Sequence, residues 1–163
     1  MTRQPQQVTR VYEESREDVY RYLLTLGLPA PMAQEAAQEA FLRLYIATER
    51  GTQIENMRAW VFRVAHNHAM DVLARERFTP LDPEFEALLR DGQPGAEKDL
   101  IEREKMEHLG KAWATLSHQQ RQCLHLRAEG LRYREIAETL QISMSTVREF
   151  VCRAIARLQK AIL

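Results

Sequence analysis

Two cysteines, six glycines and six prolines in 163 residues leave little room for several architectures. Cys123 and Cys152 are too few for a disulfide framework, and neither lies in a CxxC or HExxH spacing that would nominate a metal site. His66 with His68, and Cys123 with His125, are spaced two apart, so on a helix the members of each pair point roughly 200° apart and cannot converge on one ion. A glycine-rich phosphate loop and a nucleophile-base pattern are both missing, and the carboxylates are scattered rather than paired, so neither enzymatic activity nor a cofactor is expected. No run of 18 apolar residues exists, and the N-terminus MTRQPQQVTR has no apolar signal core. The chain is therefore expected to be cytoplasmic, without membrane insertion. No convincing strand pattern, internal repeat or low-complexity tract is found.

What is present is helical periodicity and an uneven charge distribution. The formal net charge is zero, but residues 80–104 hold eight acidic against three basic residues, a net of −5. Residues 105–163 hold ten basic against five acidic, a net of +5, so neutrality conceals a basic module behind an acidic connector. Val8 to Leu26 is an amphipathic helix stopped by Gly27-Leu28-Pro29. Pro31 restarts a helix to about Thr48, whose buried side is expected to be Ala33, Ala36, Ala37, Ala40, Phe41, Leu44 and Tyr45. Asn56 is placed to cap a third helix over about Met57 to Arg77, with Trp60, Val61, Val64, Ala65, His68, Val72 and Leu73 inward. On another side Arg63, Asn67, Asp71 and Arg75 form a row at four-residue steps, with residue types able to touch phosphates and base edges. Pro80, Pro83, Gly92, Pro94 and Gly95 among acidic residues give linker composition, with room for a short helix over Pro83 to Arg90. A helix over Glu97 to Leu116 follows, with Leu100, Ile101, Met106, Leu109, Ala112 and Trp113 apolar. Ser117 with Gln120 then forms a capping box for the next helix.

The stretch GLRYREIAETLQISMSTVREFVCRAIARLQK (Gly130 to Lys160) reads as a helix-turn-helix. Ile136, Ala137 and Leu140 mark one short helix. After Gln141-Ile142-Ser143, with Ser143 or Ser145 as cap, Val147, Val151, Ala154, Ile155 and Leu158 face inward on a second helix. Its outward row is Arg148, Glu149, Cys152, Arg153, Arg157 and Lys160, which matches a recognition helix entering the major groove. The planar fork of arginine can donate two bonds to guanine O6 and N7, and Glu149 can accept from a cytosine amino group. The expected fold is all-α, two small helical domains joined by a linker: residues 1–79, an acidic linker over 80–99, and residues 100–163.

Three segments in this order, QEAFLRLY (Gln38 to Tyr45), RAWVFRVAHNHAMDVLARER (Arg58 to Arg77) and AWATLSHQQRQCLHLRAEGLRYREIAETLQISMSTVREFVCRAIARL, resemble an extracytoplasmic-function sigma factor. The STVREFVCRA ending is most similar to the ferric-citrate, iron-starvation subgroup. The resemblance implies a bacterial RNA polymerase subunit for promoter-specific transcription initiation. In it, region 2 (residues 1–79) binds the beta-prime clamp of core RNA polymerase through Glu35, Gln38, Glu39, Leu42 and Arg43. The same region captures the minus 10 element of promoter DNA through the loop Thr48 to Asn56 with Arg58, Trp60, Arg63, Asn67, Arg75 and Arg77. Region 4 (residues 100–163) meets the beta flap and reads the minus 35 element through Tyr133, Arg134, Ser145, Thr146, Arg148, Glu149, Cys152, Arg153 and Arg157. An anti-sigma factor is a further possible partner.

Two departures from the family pattern carry expectations of their own. Ala33-Gln34-Glu35-Ala36 stands where the family often has Asp-Ala-Glu-Asp, which leaves fewer acidic contacts for the clamp. Gln141 stands where the turn commonly has glycine, so a left-handed backbone there would cost roughly 1–2 kcal/mol. The rival readings are a conventional helix-turn-helix regulator with an N-terminal sensing or dimerisation domain, and a protein-interaction module without DNA.

Overall fold

The computed structural model describes residues 3–76 and 100–163, which fall into two compact helical units. Arg77, the linker over 80–99 and the short helix expected at Pro83 to Arg90 lie outside the described residues.

The first unit is a bundle of three mutually packed helices, α1 (Arg3–Thr25), α2 (Ala30–Glu49) and α3 (Met57–Glu76). Gly27 ends α1 at φ 105, a left-handed conformation that only glycine adopts without strain. Leu26 and Leu28 on either side of it are buried. Pro29 and Pro31 then start α2, where a missing N–H is harmless. The α2 face that the others pack against is nearly all small, with Ala33, Ala36, Ala37 and Ala40 buried beside Phe41 and Leu44. Small residues there let neighbouring helices approach closely and leave space for the large side chains Tyr22, Leu23 and Phe62, all fully buried.

Two polar ties cross this core. The Tyr22 hydroxyl shares a 2.7 Å hydrogen bond with His66 Nδ1 and its ring stacks on the imidazole. Burying the phenol and the imidazole is tolerable because each satisfies the other. At the rim, Arg58 donates from Nη1 to Ser15 Oγ at 2.8 Å and from Nη2 to Asp18 Oδ2 at 3.1 Å, with its guanidinium over the Phe62 ring. Asn56 caps α3 as expected, its Oδ1 accepting from Ala59 N.

In the second unit α7 (Met144–Ile162) packs on all three others, α4 (Leu100–Ala114), α5 (His118–Ala128) and α6 (Tyr133–Leu140). Val147, Val151 and Ala154 form its buried seam, and Cys123, Leu126, Leu131 and Ile136 complete the core. The capping box at Ser117 and Gln120 is present in both directions. Ser143, not Ser145, caps α7 by accepting from Thr146 N at 3.1 Å. The α6–α7 turn places Gln141 at φ 56, ψ 46, the left-handed conformation that its sequence position called for.

Several expected inward residues point out. Tyr45 is 46% exposed, and Ile155 is 41% exposed because Val151 and Ala154 already fill the seam of α7. Leu100 and Ile101 are 74% and 62% exposed, and no residue of α4 is fully buried. On α3 the buried histidine is His66 rather than His68, because the packed line runs through Val61, Phe62, Ala65 and Ala69 toward Tyr22.

Three outcomes follow from this geometry. Gln141→Gly relieves the left-handed strain and stabilises the second unit by about 1 kcal/mol, read as a higher urea midpoint. Arg58→Ala removes two bonds to α1 and a ring contact, and lowers the stability of the first unit by roughly 1–3 kcal/mol in the same measurement, with Arg58→Lys restoring only part because an ammonium lacks the fork. Burial pushes the Cys123 thiol up to about 11 while Cys152 is exposed, so brief alkylation at pH 8 followed by mass spectrometry labels Cys152 and leaves Cys123 unmodified until the chain is denatured.

Candidate functional site

The exposed face of α7 begins beside its cap. Ser145 and Thr146 lie in the first turn, where Ser143 Oγ lies 2.7 Å from Thr146 Oγ1 and 3.0 Å from Ser145 Oγ. Arg148, Glu149, Cys152, Arg153 and Arg157 are all exposed, which follows from the buried seam at 147, 151 and 154. Three of the five are already engaged. Arg153 Nη2 donates to Glu149 Oε1 at 2.6 Å, a pair one helical turn apart. Arg157 Nη1 donates to the Thr115 carbonyl at 2.9 Å, just past the end of α4. Arg121 donates to the neighbouring carbonyls of Trp113 and Ala114, so two arginines satisfy acceptors that the last turn of α4 leaves without helical partners. Of the predicted arginines, Arg148 and Arg153 therefore keep to the outward face, while Arg157 serves the packing of α4.

Beside the start of α7 an open cleft of about 450 Å³ is lined by Arg127, Arg132, Tyr133, Arg134 and Met144. Arg127 donates to the Leu131 carbonyl at 3.1 Å and lies 5.5 Å from the Tyr133 ring centroid, which holds the tyrosine. Tyr133 and Arg134 were expected in a nucleic-acid surface; Arg127 and Arg132 were not. Their signal was available in the sequence only as one basic residue before GLRY and one within it, with no indication that the turn at Gly130 (φ 93) folds them together.

On the first unit, Asn67, Asp71 and Arg75 form an exposed row on α3 with the half-buried Arg63, and Trp60 is half-buried near its start. The guanidinium of Arg58, near the start of α3, faces Ser15 and Asp18 of α1. Glu35, Gln38, Leu42 and Arg43 are exposed on α2, and Glu39 is half-buried with Oε1 accepting from Arg43 Nε at 3.1 Å. Next to Leu42, which is 51% exposed, Tyr45 and Ile46 are exposed at the spacing of one helical face. These two join an apolar patch that the sequence reading placed partly in the core. Among the described residues no group of three or more His, Cys, Asp or Glu could hold a metal, and no helix is long and apolar enough to cross a membrane.

Comparisons with known proteins agree with this division. Residues 11–79 match the family model described as Sigma-70 region 2, and residues 107–158 match Sigma-70, region 4. The RNA polymerase sigma-H factor of Pseudomonas aeruginosa is 32% identical over 143 residues, covering 82% of this chain and 74% of that protein. The ferric citrate uptake sigma factor FecI of Escherichia coli is 28% identical over 125 residues, 76% of this chain and 72% of that protein. In fold, the chain is similar to the sigma factor RpoE of Bartonella quintana, solved with the anti-sigma factor NepR, with a TM-score of 0.60 at 20% identity over 97% of this chain and 95% of that one. With a helical bundle matched to region 2 and a helix-turn-helix unit matched to region 4, the chain belongs to the extracytoplasmic-function branch of the sigma-70 family and is an RNA polymerase sigma factor.

Proposed function

We propose that this sigma factor divides promoter recognition between its two units, with residues 1–79 acting as region 2, residues 100–163 as region 4, and 80–99 as the linker. The observation that carries the reading is the outward row Arg148, Glu149, Cys152 and Arg153 on a helix whose opposite face is the core of its unit. In this reading α7 enters the major groove of the minus 35 element. Ser145 and Thr146 at its start contact the backbone, and Arg148 and Arg153 address guanine edges. Tyr133 and Arg134, with Arg127 and Arg132 beside them in the cleft, supply phosphate contacts that position the helix without reading sequence. Arg157 supports this surface by fixing α4 to α7.

On the first unit, the loop after α2 and the α3 surface of Trp60, Arg63, Asn67 and Arg75 receive the minus 10 element; Arg77, assigned to it by the family resemblance, lies outside the described residues. Arg58 braces that surface against α1. Extruding a base from the stack costs a few kcal/mol, so a pocket that repays it for the right base couples recognition to strand opening. Core polymerase is met on two surfaces: the beta-prime clamp by α2, through Glu35, Gln38, Glu39, Leu42 and Arg43 with Tyr45 and Ile46 extending the apolar part, and the beta flap by the second unit. The conventional-regulator alternative has no support, because its sensing domain would occupy the residues that match region 2.

The finer assignments rest on likeness. The STVREFVCRA ending and the 28% identity to FecI support membership of the ferric-citrate-type subgroup. An anti-sigma partner is inferred from the solved complex of its structural neighbour. The protein acts without enzymatic chemistry of its own, in the cytoplasm where core polymerase is found. Mapping transcript start sites after overexpression tests the whole reading: new starts share two upstream elements at a fixed spacing, and starts with no common elements overturn it.

At residue level, Arg148→Ala weakens minus 35 recognition by roughly 1–3 kcal/mol, the value of one good bidentate guanine contact. Association with core polymerase, followed by fluorescence anisotropy of labelled chain, stays within twofold of wild type. Loss of core binding in this variant would refute the assignment of α7 to DNA.

A further inference from the structure

We infer that Glu149 and Arg153 act as one unit that reads a single C·G base pair of the minus 35 element, an inference resting on the assignment of α7 to that element. Arg153 Nη2 lies 2.6 Å from Glu149 Oε1, and both side chains are more than half exposed. That separation is shorter than the rise of roughly 3.4 Å between stacked base pairs, so both head groups fit within one step of a duplex crossed by α7. Joined this way they present a row of groups: a carboxylate oxygen that accepts, then the remaining N–H groups of the guanidinium that donate.

The major-groove edge of a C·G pair presents the complementary row, a cytosine N4 donor followed by the O6 and N7 acceptors of guanine. An A·T pair places its one donor between two acceptors, so a guanidinium beside a carboxylate cannot use both arms of its fork there. Reversing the pair to G·C puts the donor at the wrong end, and the direction of α7 therefore sets which strand carries the cytosine.

The ion pair also removes the electrostatic objection to a carboxylate facing DNA. One negative charge approaching phosphates is repelled, but Arg153 neutralises it at contact distance. The unit then contributes base selectivity with no net attraction to the backbone, which is left to the arginines of the cleft. Because the pair is solvent-exposed, its internal bond is weak and can be exchanged for bonds to a base pair.

The test uses holoenzyme assembled from the full chain and core polymerase, acting on promoters randomised across the minus 35 element, with transcripts sequenced. In Glu149→Ala, Arg153→Ala and the double variant, preference is lost at one and the same C·G pair, and the double variant loses no more there than the more damaged single. On a fixed promoter, the slope of log affinity against log salt shrinks by about 1 in Arg134→Ala, a cleft arginine assigned to phosphate, and is unchanged in the double variant, since a neutral pair releases no net counterion. Loss at two different base pairs, a cytosine preference untouched by Glu149→Ala, or a smaller salt slope in the double variant overturns the joint reading. If no variant, Arg148→Ala included, changes preference anywhere in the element, then the assignment of α7 itself has failed, a result distinct from the others.

Discussion

The second unit depends on the seam of Val147, Val151 and Ala154. A helix turns about 100° per residue, so burying those three fixes the outward direction of 145, 148, 149, 152 and 153 with no further instruction. The seam is narrow because two of its members are β-branched and stiff, and the third is small enough to let another helix come close. α4, α5 and α6 all pack on α7, so the helix proposed to read DNA is also the core element of its unit. That arrangement ties the position of the outward side chains to the stability of the whole unit, as preorganised recognition requires.

Arginine has one structural use in this chain and one proposed use in reading DNA. Arg58, Arg121 and Arg157 point their guanidinium groups at protein acceptors: a hydroxyl and a carboxylate on α1, and the carbonyls at the end of α4. Arg148 and Arg153 stand on the outward face. Both uses exploit the same property, a planar fork with five donors that stays charged. Residue type alone therefore cannot tell a structural arginine from a reading one. The distinction lies in whether an acceptor on another element comes within reach.

This marks where the sequence was legible and where it was not. Helix positions, the Asn56 cap, the Ser117–Gln120 capping box and the strain at Gln141 are local, set by residues within four positions of each other, and each was readable from the chain. Exposure depends on what packs opposite, which spacing along one helix does not show. Tyr45 and Ile155 fit an apolar stripe by spacing, but Leu44, Val151 and Ala154 had already filled the available contact. His66 and His68 differ by two positions, and only the partner Tyr22, 44 residues away, decides which is buried. The roles of Arg58 and Arg157 were hidden for the same reason, since their acceptors lie 40 or more residues distant in sequence.

Charge shows how a chain of zero net charge can still serve as a DNA reader. Phosphate attraction acts over about 8–10 Å at physiological salt, so what matters is the local sign near the bound surface rather than the total. The basic excess of residues 105–163 meets that condition, and the cleft of Arg127, Arg132 and Arg134 concentrates part of it beside the start of α7. In the proposed reading, a neutral Glu149–Arg153 pair within this basic field separates two tasks that a row of free arginines would confound. The surrounding arginines hold any duplex, and the pair gains contacts only where the base edges match it. Selectivity then comes from groups that add nothing to non-specific binding, which raises the ratio of specific to non-specific affinity without tightening the grip on the rest of the genome.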